Sequence, residues 1–227
     1  MVDIAFIFFG QLREFNSGIE SWKKNVIPEL NGHNVNFFAH FWDDEYLKNL
    51  ENFNNYHSPL ILQTENQKTV EEMHQEFGIK NKMHFCMFSQ SYSFYKAFQL
   101  LKIFEHNNNK KFDLYIKLRS DLIFLNKINF DLDGYSVYTK DISHWREPCD
   151  YIHDYILLTK NYSNIEAISN LPYNFDNILE KENELKYSGG LDNKNYCCEE
   201  ILAKHILMNE IPVKFYNFNV DLARHHL

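Results

Sequence analysis

The chain has no excess of basic residues: 31 Asp and Glu outnumber 23 Lys and Arg, for a net charge of −8. Nucleic-acid binding runs on Lys and Arg displacing counterions from phosphates, so a nucleic acid is not the expected partner. A local pocket for one small anion remains compatible with this balance. Long apolar runs are also missing. None approaches the length of a membrane span, and no basic amphipathic stretch suits a membrane surface. Asp3 interrupts the first apolar stretch and no small-residue cleavage site follows Phe9, so no signal peptide is expected. Cysteine is scarce. The four residues, at 86, 149, 197 and 198, have no zinc-ribbon spacing, and adjacent Cys197 and Cys198 make a poor bridge. Reduced thiols in a cytoplasmic compartment are expected. The 11 histidines, among them His33, His40, His57, His74 and His84, form no ligand-spaced cluster and read as surface or core residues. There is no internal repeat and no linker, and the asparagines are dispersed.

What is present fits one globular domain: 227 residues, 44% hydrophobic and 16% aromatic. Ile4–Phe9 is a continuous apolar run, as expected of a central parallel strand buried on both faces. Asn16-Ser17 then reads as a helix cap, with Ile19, Trp22, Val26 and Ile27 as the inward stripe and Pro28 near the stop. Val35–Phe41 is a second strand, followed by helical spacing at Tyr46, Leu47, Leu50 and Phe53. Leu60-Ile61-Leu62 is a short third strand. Thr69–Phe77 reads as a helix stopped by Gly78. Ser89–His106 is a longer one, with Phe94, Ala97, Phe98, Leu101 and Phe104 at period 3.6. Asp113–Leu118 is a fourth strand. This alternation predicts an α/β fold with a mostly parallel sheet flanked by helices over residues 1–125, and a less regular half over 126–227. In that second half Tyr135–Tyr138, Tyr155–Leu158 and Val213–Phe218 read as strands, the last being the final one. Tyr162–Ile168, Phe175–Leu185 and Glu199–Met208 read as helices, and Ser188–Asn193 as a loop.

The most informative stretch is Lys111–Phe124, a core strand that ends in Arg119-Ser120-Asp121 and then resumes as Leu122-Ile123-Phe124. Open α/β sheets bind ligands at the C-terminal ends of their strands. Arg119 suits a diphosphate as a planar fork of donors, and Asp121 suits a hard divalent cation seated on that diphosphate. The plainer alternative is a structural ion pair that closes a loop. Gly10-Gln11-Leu12-Arg13 follows the first strand. Gly10 permits close backbone approach, Gln11 suits a base or ribose edge, and Arg13 suits phosphate. The further glycines of a dinucleotide fingerprint are absent. After the second strand, Trp42 suits packing on an apolar ring and Asp43 a ribose hydroxyl, although Asp also favours a helix start. Lys96 lies beside the stripe of the long helix, positioned either for a phosphate or for solvent. Glu199 and Glu200 open a helix, and His153-Asp154 precedes an apolar strand. Each carboxylate is a candidate general base, with macrodipole complementarity the plain alternative for the two glutamates.

Four segments, taken in order, resemble the GT-A class of nucleotide-sugar-dependent glycosyltransferases, and in particular its small bacterial and viral members with an Arg-x-Asp form of the metal motif. They are Phe8–Arg13, Phe38–Asp43, Asp113–Phe124, and Glu199–Leu207 with Ile211-Pro212-Val213. The match spans nearly the whole chain, and the third segment is its specific part. Where that class presents Asp-x-Asp, Arg119 stands at the first acid and Asp121 at the second. The resemblance implies Mn²⁺ or Mg²⁺ on Asp121, a nucleoside-diphosphate sugar held by Gly10, Gln11, Arg13, Asp43, Lys96 and Arg119, and transfer to a glycan or other hydroxyl acceptor. It also implies Glu199 or Glu200 near the acceptor, with Asp154 a further candidate for the base. Two other readings stand beside it: a nucleotidyltransferase that makes an activated sugar, and a non-catalytic carbohydrate-binding module rich in Tyr and Phe.

Overall fold

A computed structural model describes residues 1–80, 85–140, 152–184, 198–216 and 219–223. The expected loop at Ser188–Asn193, together with His84, Cys149, Cys197 and Phe218, lies outside them. Sixteen elements follow in order: β1 (Asp3–Gly10), α1 (Phe15–Asn25), β2 (Asn34–Asp43), α2 (Leu50–His57), β3 (Ile61–Asn66), α3 (Val70–Phe77), α4 (Phe85–Asn108), β4 (Leu114–Arg119), β5 (Leu122–Phe124), β6 (Val137–Lys140), β7 (Ile156–Thr159), α5 (Tyr162–Ser169), α6 (Leu171–Glu184), α7 (Cys198–Met208), β8 (Val213–Tyr216) and β9 (Val220–Leu222).

The central sheet has seven strands in the order β3-β2-β1-β4-β7-β6-β8. The chain winds outward through β1, β2 and β3, then returns to place β4 on the other side of β1. Both neighbours pair with β1 in parallel. β7 is antiparallel to β4 and to β6, and so runs against the rest of the sheet. A second sheet joins β5 to β9 in antiparallel register.

Side-chain alternation splits the core into two layers. Ala5, Ile7, Phe9 and Tyr115 face α3, α4, α5, α6 and α7. Ile4, Phe6, Phe8, Leu114, Ile116 and Leu118 face α1 and α2. A strand sandwiched this way must be apolar at every position, which is why β1 is a continuous run. By the same period of two, Lys117 points with Tyr115 into the α4 layer, beside Phe9 and Phe94. No helix among the described residues is long and apolar enough to cross a membrane.

Several sequence expectations need correction. The first helix starts at Phe15, after Glu14 in a left-handed conformation (φ 42°) with no side-chain cap, so Asn16 and Ser17 lie inside it. Burial of Leu12 and Phe15 sets that start in place of the cap. Ile27 is outside the stripe and 40% exposed. Trp42 and Asp43 belong to β2, and α6 begins at Leu171. Val213–Tyr216 is not the last strand, because β9 follows it and pairs with β5. The helix ended by Gly78 (φ 68°) is as expected, and the structure adds a capping box of Thr69 and Glu72 at its start.

Candidate active site

The strand order reverses between β1 and β4, and the C-terminal edge at such a switch point is where α/β sheets bind ligands. The two loops there are joined directly. Ser120 Oγ donates to the main-chain oxygen of Gln11 at 3.1 Å. Gly10 adopts φ +96°, which glycine tolerates without strain, and nothing lies within 4 Å of where a Cβ would stand. Its N–H donates to Ser93 Oγ on α4 at 2.7 Å. That hydroxyl also donates to the His40 carbonyl (3.0 Å), and His40 Nδ1 lies 2.8 Å from it. The other ring nitrogen of His40 is 3.0 Å from Glu65 Oε1. His40 is therefore a hydrogen-bonded core residue that ties β2 and β3 to α4.

Arg119 and Asp121 pair with each other. Nε donates to Oδ1 at 2.9 Å and Nη2 to Oδ2 at 2.6 Å, a bidentate fork. Burial works against the Arg119 charge, but the Asp121 carboxylate outweighs it and holds the guanidinium more firmly protonated than usual. The guanidinium also sits 5.2 Å from the Tyr155 ring centre. Asp121 is anchored from behind, since its carbonyl accepts from the Ala223 N–H just past β9. β5 is in turn fixed to α1. Ser21 Oγ accepts from Phe124 N–H, Asn25 Nδ2 donates to the Phe124 carbonyl, and Gly18 passes so close to Leu122 that a Cβ would lie 2.6 Å from its carbonyl oxygen.

Because β7 runs antiparallel, the residues just before it reach the same edge. Asp154 is there, 4% exposed, with Oδ1 lacking any hydrogen-bond partner. Lys117 Nζ donates to the Asp154 carbonyl and lies 4.4 Å from the Phe9 ring centre. Burial lowers Lys117 to about 8, partly offset by Asp154, while burial and then Glu199 raise Asp154 to about 6 against the pull of Lys117 and Arg119. Glu199 is close because α7 is tied to this segment, its carbonyl accepting from Ile152 N–H at 3.4 Å. Phe9, Gln90, Phe94, Lys117, Asp154 and Leu202 line a small cleft, and Gln90 Oε1 is a second buried acceptor without a partner.

The structure thus brings Gly10, Gln11, Arg119, Asp121, Asp154 and Glu199 to one edge. Other expected residues are engaged elsewhere. Gln11 Nε2 donates to Asp44 at 2.7 Å, whereas Asp43 is exposed at the end of β2. Arg13 packs over the Tyr46 ring, 5.0 Å from its centre, with a buried Nε that has no partner. Lys96 forms an ion pair with Glu76 on α3 at 3.1 Å. Glu200 is buried within α7. Trp42 stacks on Tyr92 in the core, 5.4 Å between centres, and so offers no face to a base. Lys117 was not singled out from sequence. The signal available was a lysine between Ile116 and Leu118 in a strand otherwise fit for the core.

A divalent cation needs oxygen donors free to turn toward it. Both Asp121 oxygens accept from Arg119, and the residue is 2% exposed. Among the described residues, no three His, Cys, Asp or Glu side chains gather as a cation site. This donor set does not fit a protein-held metal ion at Asp121.

The chain matches no protein-family model, and no curated protein is similar to it in sequence.

Proposed function

We propose that this chain is a GT-A-like glycosyltransferase that moves a sugar from a nucleoside-diphosphate sugar to a hydroxyl of a glycan or other acceptor, in cytoplasmic polysaccharide assembly. One observation carries the reading. At the switch point of the sheet, a guanidinium with unspent donors stands at the same edge as a buried carboxylate whose Oδ1 has no hydrogen-bond partner. The first suits a diphosphate, and the second suits a hydroxyl proton.

In this mechanism the nucleotide lies across the ends of β1 and β4, its diphosphate beside Gly10 and Arg119. The bond from the anomeric carbon to the diphosphate breaks, and the electron pair leaves with the nucleoside diphosphate. The sugar becomes oxocarbenium-like. The acceptor oxygen bonds to the anomeric carbon, and its proton passes to Asp154. A carboxyl raised to about 6 is a stronger base than an ordinary aspartate and is still ionised at neutrality. Glu199, which helps raise it, is the next carboxylate in line. The implied metal has no step here, because Asp121 is committed to Arg119.

The test has two parts. A thermal-shift panel of UDP, GDP, CDP and dTDP reads the nucleotide, and nucleoside-diphosphate release from the matching nucleotide sugars reads turnover. Stabilisation by one nucleotide, with turnover lost in Asp154→Asn but nucleotide binding kept, supports the reading. Stabilisation by none of the four overturns it, and binding of free sugar without nucleotide would favour a carbohydrate-binding module.

A further inference from the structure

Resting on the nucleotide reading above, we infer that Arg119 and Asp121 form a built-in anion clasp that holds a diphosphate through fixed protein cations in place of a divalent metal ion. Asp121 is then a positioning residue for Arg119 and not a ligand.

The geometry of the fork carries this. A guanidinium has five N–H donors in one plane. Asp121 takes two of them, from Nε and Nη2. The two Nη1 protons and the second Nη2 proton meet no acceptor among the described contacts. One proton on each Nη lies along the adjacent, end-on edge of the same plane, an edge that pairs side by side with two phosphate oxygens. The Arg119 side chain is 14% exposed while Asp121 is sealed behind it. What solvent access the pair has is therefore on the arginine and not on the carboxylate. Asp121 and the Tyr155 ring fix the guanidinium before any ligand arrives, so binding does not have to order a long side chain.

Two neighbours extend the clasp. Lys117 lies two residues earlier on β4, and one of its three ammonium protons goes to the Asp154 carbonyl. Across the switch point, Gly10 leaves open space where any other residue would place a side chain. A phosphate at Arg119 thus meets a fixed guanidinium and a bare stretch of backbone, with the buried Lys117 charge on the same strand. A cation at Asp121 would first have to strip two charge-assisted hydrogen bonds from a sealed carboxylate.

Calorimetric titration of the intact chain decides the matter. The probes are inorganic pyrophosphate and the four nucleoside diphosphates UDP, GDP, CDP and dTDP, each in excess EDTA, in Mg²⁺ and in Mn²⁺. The expected result is binding in EDTA within about twofold of that in metal, and a loss of about tenfold for Arg119→Lys under every condition, since lysine keeps the charge and loses the fork. Arg119→Lys keeps a cation beside Asp121, and the EDTA comparison on the unaltered chain needs no variant. Binding that is tighter by about tenfold or more in metal, and loses that gain in Asp121→Asn, overturns the clasp and leaves the nucleotide reading standing. Pyrophosphate binding in EDTA with no nucleotide bound supports the clasp and removes the nucleotide reading. Binding of no probe under any condition overturns the clasp.

Discussion

Ser120 donates its hydroxyl proton to the carbonyl of Gln11 at 3.1 Å, and this one bond latches the loop after β4 to the loop after β1. The two loops come from strands that are neighbours in space and far apart in sequence. Ser120→Ala removes the latch and leaves a carbonyl in a partly buried place. A loss of about 1 kcal/mol is expected in urea unfolding. Nucleoside-diphosphate affinity should fall more than that cost alone implies, because both halves of the phosphate site loosen together. Equal affinity in the variant would show that the loops hold themselves.

In the proposed transfer, Lys117 and Asp154 are the groups expected to set the pH range. Asp154 has its folded value raised from 3.8 to about 6, so the stability tied to its neutral form is complete below 3.8 and is lost as pH rises through about 6. Lys117 has its folded value lowered from 10.5 to about 8, so the stability tied to its neutral form is complete above 10.5 and is lost as pH falls through about 8. Both groups are charged between about 6 and 8. The kcat/KM profile should be bell-shaped over that window. Asp154→Asn should abolish turnover and remove the decline in Tm expected between pH 3.8 and 6.

Lys117→Met tests the coupling. Methionine occupies much of the space of the lysine stem among Phe9 and Phe94 while removing the charge. Lys117 lowers the Asp154 value, so its loss should raise that value further. The acid limb of kcat/KM should move to higher pH with little change in Tm. An unmoved limb would mean that Asp154 is not the group titrating there.

Gly18→Ala should destabilise from a surface helix. The new Cβ would stand 2.6 Å from the Leu122 carbonyl oxygen, and backbone on both sides must shift. About 1–3 kcal/mol is expected in chemical denaturation. The shift pushes β5, and so should weaken nucleotide binding at the loop that precedes it. A Gly18→Ser variant should behave in the same way.

Ser93→Ala strands the Gly10 N–H, a buried donor with no other acceptor. A cost of about 1–3 kcal/mol is expected. Thermal unfolding compared with the Ser120→Ala variant separates the two anchors of the β1 loop.

Much of this was legible in the sequence. β1 announced itself because a strand covered on both faces has no polar position, and Gly78 ends its helix locally. Arg119, Asp121 and Gly10 stand out because charge or glycine at a strand end is a local pattern, and Asp154 because it directly precedes an apolar strand. What escaped depends on partners distant in sequence. β9 has three residues and gains its identity from β5. Trp42 looked available until Tyr92 covered it. The Arg119–Asp121 ion pair is local and is the plainer alternative that the sequence offers, whereas nothing local says that a lysine in a core strand stays buried beside Asp154. The start of α1 was misplaced because burial of Phe15 outweighed the capping preference of Asn16 and Ser17.

The hydrogen bond from Ala223 to the Asp121 carbonyl has a bearing on synthesis. β1 to β4 can assemble as soon as they leave the ribosome, since their pairings use only residues up to Arg119. The loop that follows them has its Ser120 latch by then, but its last fastening, the Ala223 N–H on the Asp121 carbonyl, comes only once β9 has been translated. A nascent chain stalled before Val220 would therefore carry a paired central sheet whose β5 edge still lacks its partner strand.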